Sequence, residues 1–194
     1  MNRVILASRS PRRRELLALL VPEDRIEVRP PRDAEEAGFE ALHDEPLIHR
    51  RLAEIARDKC DDVCEQLAES GTAYDVIIAA DTVIVGERTD GKLDVLGQPP
   101  QSPDWREVVA GWFRDYFFGR EHTAMTALCV ADSTGRRRER IATTKVAMAA
   151  DRGELLDWYL NTGEPSGKAG GYAIQGAGRM FVTSIDGSLS NVIG

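Results

Sequence analysis

The chain has 194 residues, 42% of them hydrophobic, enough for a real core in one ordinary domain or one domain with two lobes. A formal net charge of -7 is the opposite of what a general nucleic-acid binder carries, so a polyanionic ligand has to be met by a local basic pocket. No apolar run approaches the roughly 20 residues that span a bilayer, and residues 1–7 lack the parts of a signal peptide, so the expectation is a cytoplasmic protein without a nucleic-acid or membrane partner.

Val4, Ile5, Leu6 and Ala7 form a short buried strand in this reading. Ser10 and Pro11 then start a helix, because Ser is a good N-cap and Pro is favoured at the first helical position. Leu16, Leu17, Leu19 and Leu20 carry that helix to Pro22. Residues 30–43 are polar and irregular, and are read as a loop. Apolar residues at 48, 52, 55, 56, 60, 63, 64 and 67 have helical spacing, and Gly71 ends that helix. Cys60 and Cys64 fall on its apolar face, where buried core cysteine is the reading preferred over a metal site. The three cysteines, Cys60, Cys64 and Cys129, are an odd count that does not suit a secreted disulfide scaffold.

The run 76–85 is apolar and β-branched, hence a central strand. Asp90-Gly91 marks a turn. Asp104 and Glu107 suggest a capping box for a helix with Trp105, Val108, Val109, Trp112 and Tyr116 as its apolar face, closed by Gly119. Two strands, 122–130 and 141–148, join through a turn near Ser133, Thr134 and Gly135. Asp151 and Glu154 cap a helix that buries Leu155, Leu156, Tyr159 and Leu160. Residues 163–178 are a glycine-rich loop around a strand-like Tyr172-Ala173-Ile174, and 181–185 is a last strand. Helices and strands intermix, so the class is α/β or α+β with a mixed sheet.

Three constellations can carry chemistry. The first is Ser8-Arg9-Ser10-Pro11-Arg12-Arg13. A helix start presents unpaired N–H groups and partial positive charge, and anions bind there. Arg12, Arg13 and Arg14 repel one another and the dipole, a cost that makes sense if nucleotide phosphates sit among them. The alternative is a solvated, slightly destabilised helix start. The second is Asp81-Thr82 inside an apolar strand. A buried carboxylate needs a partner, which makes Asp81 a candidate general base or Mg²⁺ ligand, or else an Asp at a strand bend satisfied by backbone N–H groups. The third, Gly163-Glu164-Pro165-Ser166-Gly167-Lys168-Ala169, looks like a P-loop but has three residues between its glycines and no hydroxyl after the lysine. Gly176 and Gly178 are likewise only a fragment of a dinucleotide fingerprint, since Phe181 stands where the third glycine belongs. Both are read as loops that let backbone approach something closely. The basic run at 136–140 reads as an exposed hairpin edge before a nucleic-acid patch. His122 shows no triad partner, and Glu35 and Glu36 are either solvated or metal-reaching.

These pieces occur together, in order, in one family. Residues 6–17, Leu6 through Ser8-Arg9-Ser10-Pro11-Arg12-Arg13 to Leu17, resemble the N-terminal signature of Maf-like proteins, nucleoside triphosphate pyrophosphatases first known as septum-formation inhibitors. Further matches are Arg51-Leu52-Ala53 with Lys59, Ala80-Asp81-Thr82, Gly119-Arg120-Glu121-His122, Gly163-Glu164-Pro165, Lys168-Ala169-Gly170-Gly171-Tyr172, Ile174-Gln175-Gly176 and Ser190-Asn191-Val192-Ile193-Gly194. The resemblance implies an α/β fold with a mixed, bent sheet flanked by helices, in two lobes around a central cleft, similar to inosine triphosphatases. It implies Mg²⁺-dependent (or Mn²⁺-dependent) hydrolysis of a nucleoside triphosphate to the monophosphate and pyrophosphate, and a possible homodimer. Asp81 matches the proton acceptor, with Asp81, Glu35 and Glu36 as metal ligands. Ser8, Ser10, Arg12, Arg13, Lys59, Thr82, Lys168 and Gln175 match substrate-binding positions, and Arg12, Thr82 and Gln175 together match the subgroup acting on dTTP and UTP. A Gln amide can read the imide edge of thymine or uracil with one donor and one acceptor. Three departures stand out: Arg9 replaces a usual glycine, Gln98 replaces the lysine of a Gly-Lys-Pro motif, and Pro30 to Asp33 intervene before the acidic pair. The chain also stops at Gly194, where relatives continue, which suggests truncation.

Overall fold

In the computed structural model, which describes residues 3–32, 38–150 and 153–194, a single mixed sheet organises the chain. Strand β1 (Val4–Ala7) lies between β2 (Ile26–Val28) and β3 (Val76–Glu87) and is parallel to both. Beyond β3 the sheet is antiparallel, through β5 (Glu121–Asp132), β6 (Arg137–Met148) and β7 (Val182–Asp186), while β4 (Leu93–Leu96) pairs with the far end of β3. Parallel neighbours need crossovers, and α1 (Pro11–Ala18) and α2 (Glu45–Glu69) supply them.

Strand side chains alternate between faces, and on β3 this divides two cores. Ile77, Ala79, Val83 and Val85 join the cluster under α2, with its buried stripe Ile48, Leu52, Ala56, Cys60, Val63 and Leu67. Ile84, of opposite parity, joins a second cluster with Val109, Phe113, Phe117, Tyr159, Tyr172 and Phe181. Helix α4 (Gly153–Asn161) and α3 (Trp105–Trp112) belong to that second core. The short α5 (Leu189–Ile193) closes the described chain, with Asn191 buried and its Nδ2 donating to Ala124 O at 3.1 Å and Thr144 Oγ1 at 2.9 Å.

Several sequence expectations are corrected. Helix α1 ends at Ala18, and Leu19 and Leu20 are exposed in the following turn. Asp104 sits at the start of α3 without a side-chain capping bond, so the capping box does not form. The apolar face of that helix runs through Val109, Phe113 and Phe117 rather than through Val108. A repeat of four outruns the 3.6-residue turn, and the wider π-helical turn Phe113–Phe117, closed by Phe118 N–H to Phe113 O at 2.8 Å, keeps the stripe on one side. Tyr172-Ala173-Ile174 is not a strand. It runs between 3₁₀ turns Ala169–Gly171 and Ala177–Phe181, and Gly170 and Gly171 at φ +68° and +67° turn the chain out of extended geometry just before it. β6 begins at Arg137, so the basic run, apart from Arg136, lies within the strand rather than before it. Glu139 pairs with Arg57 and Arg137 with Asp61 there, and β7 covers only the other end of β6. Charge on that open edge fits its expected role. Asp151, proposed as a helix cap, lies outside the described residues.

Phe113 is fully buried and packs edge-on against Phe117, Phe118 and Phe181. Phe113→Ala should cost about 3–5 kcal/mol, read as a shift in the urea unfolding midpoint with an unchanged slope.

Candidate active site

The chain leaves β1 through a tight turn in which Ser8 N–H donates to Leu6 O at 2.9 Å. The buried Ser8 hydroxyl accepts from Ser10 N–H at 3.1 Å, and Ser10 Oγ accepts from Arg13 N–H at 3.4 Å, so the two serines tie the turn to the helix start. The three arginines then part company. Arg13 reaches inward: Nη1 donates to Ala80 O at 2.7 Å and to Ser8 Oγ at 3.3 Å, and Nη2 donates to Thr82 Oγ1 at 3.1 Å. Arg12 lines the cleft. Arg14 bonds Glu23 on the exposed side, so the expected trio around one anion is a pair. Arg9 also lines the cleft and donates to Pro31 O at 3.3 Å.

Asp81 is not at a strand bend. It sits in the regular β3–β5 ladder opposite Ala127, with its side chain 3% exposed. Its Oδ1 accepts from Lys59 Nζ of α2 at 2.6 Å. A buried carboxylate without such a partner would cost several kcal/mol, so the pair explains how the strand tolerates the charge. Thr82 points to the opposite face, where its hydroxyl meets Thr126 Oγ1 at 3.0 Å as well as Arg13. Thr126 in turn donates to Asn191 O at 3.3 Å.

The glycine-rich loop supplies the third wall. Lys168 turns its ammonium back on the carbonyls of Glu164 and Ser166, which is unlike a P-loop. Burial and the nearby Arg12 charge lower the Lys168 pKa, against an opposing pull from Glu164. Gln175 is exposed on the rim. Tyr172 lines the cleft, and its hydroxyl meets buried His122 Nε2 at 2.7 Å, a pairing of positions 50 residues apart that no local pattern marks.

Ser8, Ser10, Arg12, Arg13, Lys59, Asp81, Thr82, Lys168 and Gln175 therefore all line one cleft of about 610 Å³, together with Arg9 and Gln98. Glu35 and Glu36 lie outside the described residues. Glu164, Thr126 and Asn191 were not picked out as site residues. Thr126 opposes Thr82 only once the β3–β5 register is known and carries no local signal, whereas Asn191 and Glu164 lie in stretches that the family resemblance matches without giving them a role.

A basic helix start, a buried ammonium–carboxylate pair and a glycine loop around one cleft form a site suited to an anionic, phosphate-bearing small molecule. The chain belongs to the Maf family, Maf-like proteins, whose sequence pattern matches residues 3–194. It is 39% identical over 197 residues to a dTTP/UTP pyrophosphatase of Anaeromyxobacter dehalogenans, covering 99% of this chain and 87% of that one. It is 37% identical over 195 residues to the dTTP/UTP pyrophosphatase of Sphingopyxis alaskensis, covering 100% and 90%. A solved nucleoside-triphosphatase / dITP/XTP pyrophosphatase of Mycobacterium abscessus shares 15% identity at a TM-score of 0.42, over 77% of this chain and 75% of that one. Among the described residues no helix is long and apolar enough to cross a membrane.

Arg13 and Arg12 should separate in experiment. Arg13→Ala removes bonds to Ala80, Ser8 and Thr82 and should lower unfolding free energy by about 1–3 kcal/mol, whereas Arg12→Ala should change it by less than about 0.5 kcal/mol. Equal midpoints in urea for the two variants would contradict this assignment.

His122 gives a pH signature. Burial lowers its imidazole from the ordinary 6.5 to about 3. The unfolded chain takes up a proton near pH 6.5 that the folded chain refuses, so this contribution is complete above 6.5 and is lost as pH falls toward 3. The slope in that window is about 1.4 kcal/mol per pH unit. Unfolding measured at about pH 7 and about pH 5 should show a smaller acid loss in His122→Gln than in the wild type.

Proposed function

We propose that the protein hydrolyses a nucleoside triphosphate, dTTP or UTP in preference, to the monophosphate and pyrophosphate. The observation that carries this reading is the convergence of the Ser10-capped helix start, the Lys59–Asp81 pair and the loop bearing Lys168 and Gln175 on one cleft. The family membership and the names of the relatives point the same way.

The triphosphate lies with its charge against the Arg12 guanidinium, Lys168 and the backbone N–H of Arg12 in the first turn of α1, where Pro11 has no N–H and Ser10 already caps that of Arg13. Asp81 takes a proton from a water as the water oxygen bonds to the α-phosphorus; the bond from that phosphorus to the bridging oxygen breaks, and pyrophosphate leaves. A phosphate arriving beside Lys59 competes with Asp81 for the ammonium and releases carboxylate lone pairs toward the water. Gln175 reads the imide edge of the base with one donor and one acceptor. Thr82 holds Arg13 rather than the base, because its hydroxyl is already engaged by Arg13 and Thr126.

The donor set bears on the metal. Among the described residues no cluster of three or more His, Cys, Asp or Glu converges, and Asp81 is the carboxylate that lines the cleft. Mg²⁺ is commonly held by one or two carboxylates plus substrate phosphates rather than by an all-protein cage, so this set fits a Mg²⁺ (or Mn²⁺) that comes with the triphosphate. Asp81, with Glu35 or Glu36, would hold it. When bound it neutralises charge on the phosphoryl oxygens.

A second reading, triphosphate binding without turnover, rests on Gln98, a neutral amide on the cleft wall. One assay separates the two. Pyrophosphate release from a panel of nucleoside triphosphates with Mg²⁺ or Mn²⁺ should be fastest with UTP and dTTP, and Asp81→Asn should lower kcat about 10²–10⁴-fold. No release from any triphosphate, or full activity in Asp81→Asn, would sink the first reading; tight binding without release would establish the second.

A further inference from the structure

Glu164 ties the two halves of the glycine loop together. Its backbone carbonyl accepts from Lys168 Nζ at 2.5 Å. Its carboxylate accepts from Ala177 N–H at 2.8 Å through Oε2 and from Gly178 N–H at 2.9 Å through Oε1. Those amides open the 3₁₀ turn Ala177–Phe181, two residues beyond Gln175. An ionised acceptor on two N–H groups makes short, strong bonds. The fit is close: a Cβ on Gly176 would stand 2.3 Å from Glu164 Oε2, so the segment after Gln175 is pressed against the carboxylate. Thus the two long polar side chains that this loop offers to the cleft, Lys168 and Gln175, are referenced to one residue, Glu164, through its side chain and its own carbonyl.

We propose that Glu164 is a positioning residue for specificity: it fixes where Gln175 stands relative to Lys168, and so how far from the phosphates a base is read. This rests on the pyrophosphatase reading and adds to it a residue that does not touch substrate. The two tethers are separable by mutation. Replacing the side chain cuts the tie to residues 177 and 178 and leaves the carbonyl that holds Lys168.

In Glu164→Ala, the ratio of kcat/KM for UTP over ATP should therefore fall about tenfold, the scale of one such charge-assisted bond. Competitive inhibition by pyrophosphate should stay within about twofold of wild type, because its grip does not use Gln175. Glu164→Gln keeps one acceptor oxygen and should fall between. Gln175→Ala should lose the same discrimination, and Glu164→Ala combined with Gln175→Ala should lose no more than either alone. Amide exchange at residues 177 and 178 should quicken in Glu164→Ala before any ligand is added. An unchanged UTP/ATP ratio in Glu164→Gln and Glu164→Ala, a fully additive double variant, or pyrophosphate inhibition that weakens in parallel would each overturn the proposal. A wild-type protein that releases no pyrophosphate would instead overturn the reading beneath it, and the exchange measurement still decides whether the clamp exists.

Discussion

The guanidinium of Arg13 is the tie on which the site's geometry depends. It leaves the first turn of α1 and bonds β3 at Ala80 O and at Thr82 Oγ1, the positions on either side of Asp81. Because strand side chains alternate, Arg13 can hold the strand at 80 and 82 while Asp81 faces α2 and Lys59. The helix start that would hold phosphates and the carboxylate that would handle water are thereby fixed in one frame. Two long cationic side chains, one from α1 and one from α2, brace the same three residues of strand. The network continues through Thr126 to Asn191, whose amide bonds β5 and β6, so the C-terminal helix is keyed to the same frame. Buried polar groups are costly when half-satisfied and rigidifying when connected; here the connections run from the first strand of the sheet to the last helix.

The third wall is built differently. The 3₁₀ turn Ala169–Gly171 lies against the second core, where a Cβ on Gly170 would come within 3.0 Å of Ile84 and one on Gly171 within 2.8 Å of Val109. Both glycines also need positive φ. Close approach and left-handed backbone together leave room for no other residue at 170 and 171, whereas Gly163 and Gly167 of the P-loop-like stretch have open space around them and serve only to turn the chain at positive φ, so the close approach expected there falls on the two glycines that follow it. Its lysine reaches the cleft by turning back on its own loop, and its register comes from Glu164 rather than from a regular element.

How far the sequence could be read follows from the range of the forces involved. Val4 to Ala7, the apolar run of β3 and the stripe from Ile48 to Leu67 announce themselves because burial imposes a local period. Asp81 stood out for the same reason reversed: a charge inside such a run must be partnered. Its partner, Lys59, is legible only through the family resemblance, since nothing local links positions 59 and 81. The triple arginine misled by treating neighbours as equivalent. Successive helix residues point about 100° apart, so Arg12, Arg13 and Arg14 have three destinations, and only the packing of α1 on the sheet decides them. β2 and β4 are not legible, because strands of 3 and 4 residues carry too little pattern to register. The π turn and the role of Glu164, a residue the family resemblance does pick out, are not legible because each answers a constraint, a drifting aromatic stripe or two orphan amides, that exists only in the folded chain.

The cleft concentrates positive charge on a chain that is acidic as a whole. The chain as a whole carries -7, yet Arg9, Arg12, Arg13, Lys59 and Lys168 face one cavity with Asp81. Arg13 and Lys59 are held by carbonyl, hydroxyl and carboxylate oxygens, so their charge is partly answered. Arg12 and Lys168 bear on each other, and burial and that repulsion both disfavour the charged lysine. Like charges held together without a counterion cost stability. An anion placed between them removes the repulsion and regains the cost as binding energy. Local rules of helix charge are broken at the Ser10–Arg13 start, and at functional sites such violations are where a ligand completes the electrostatics.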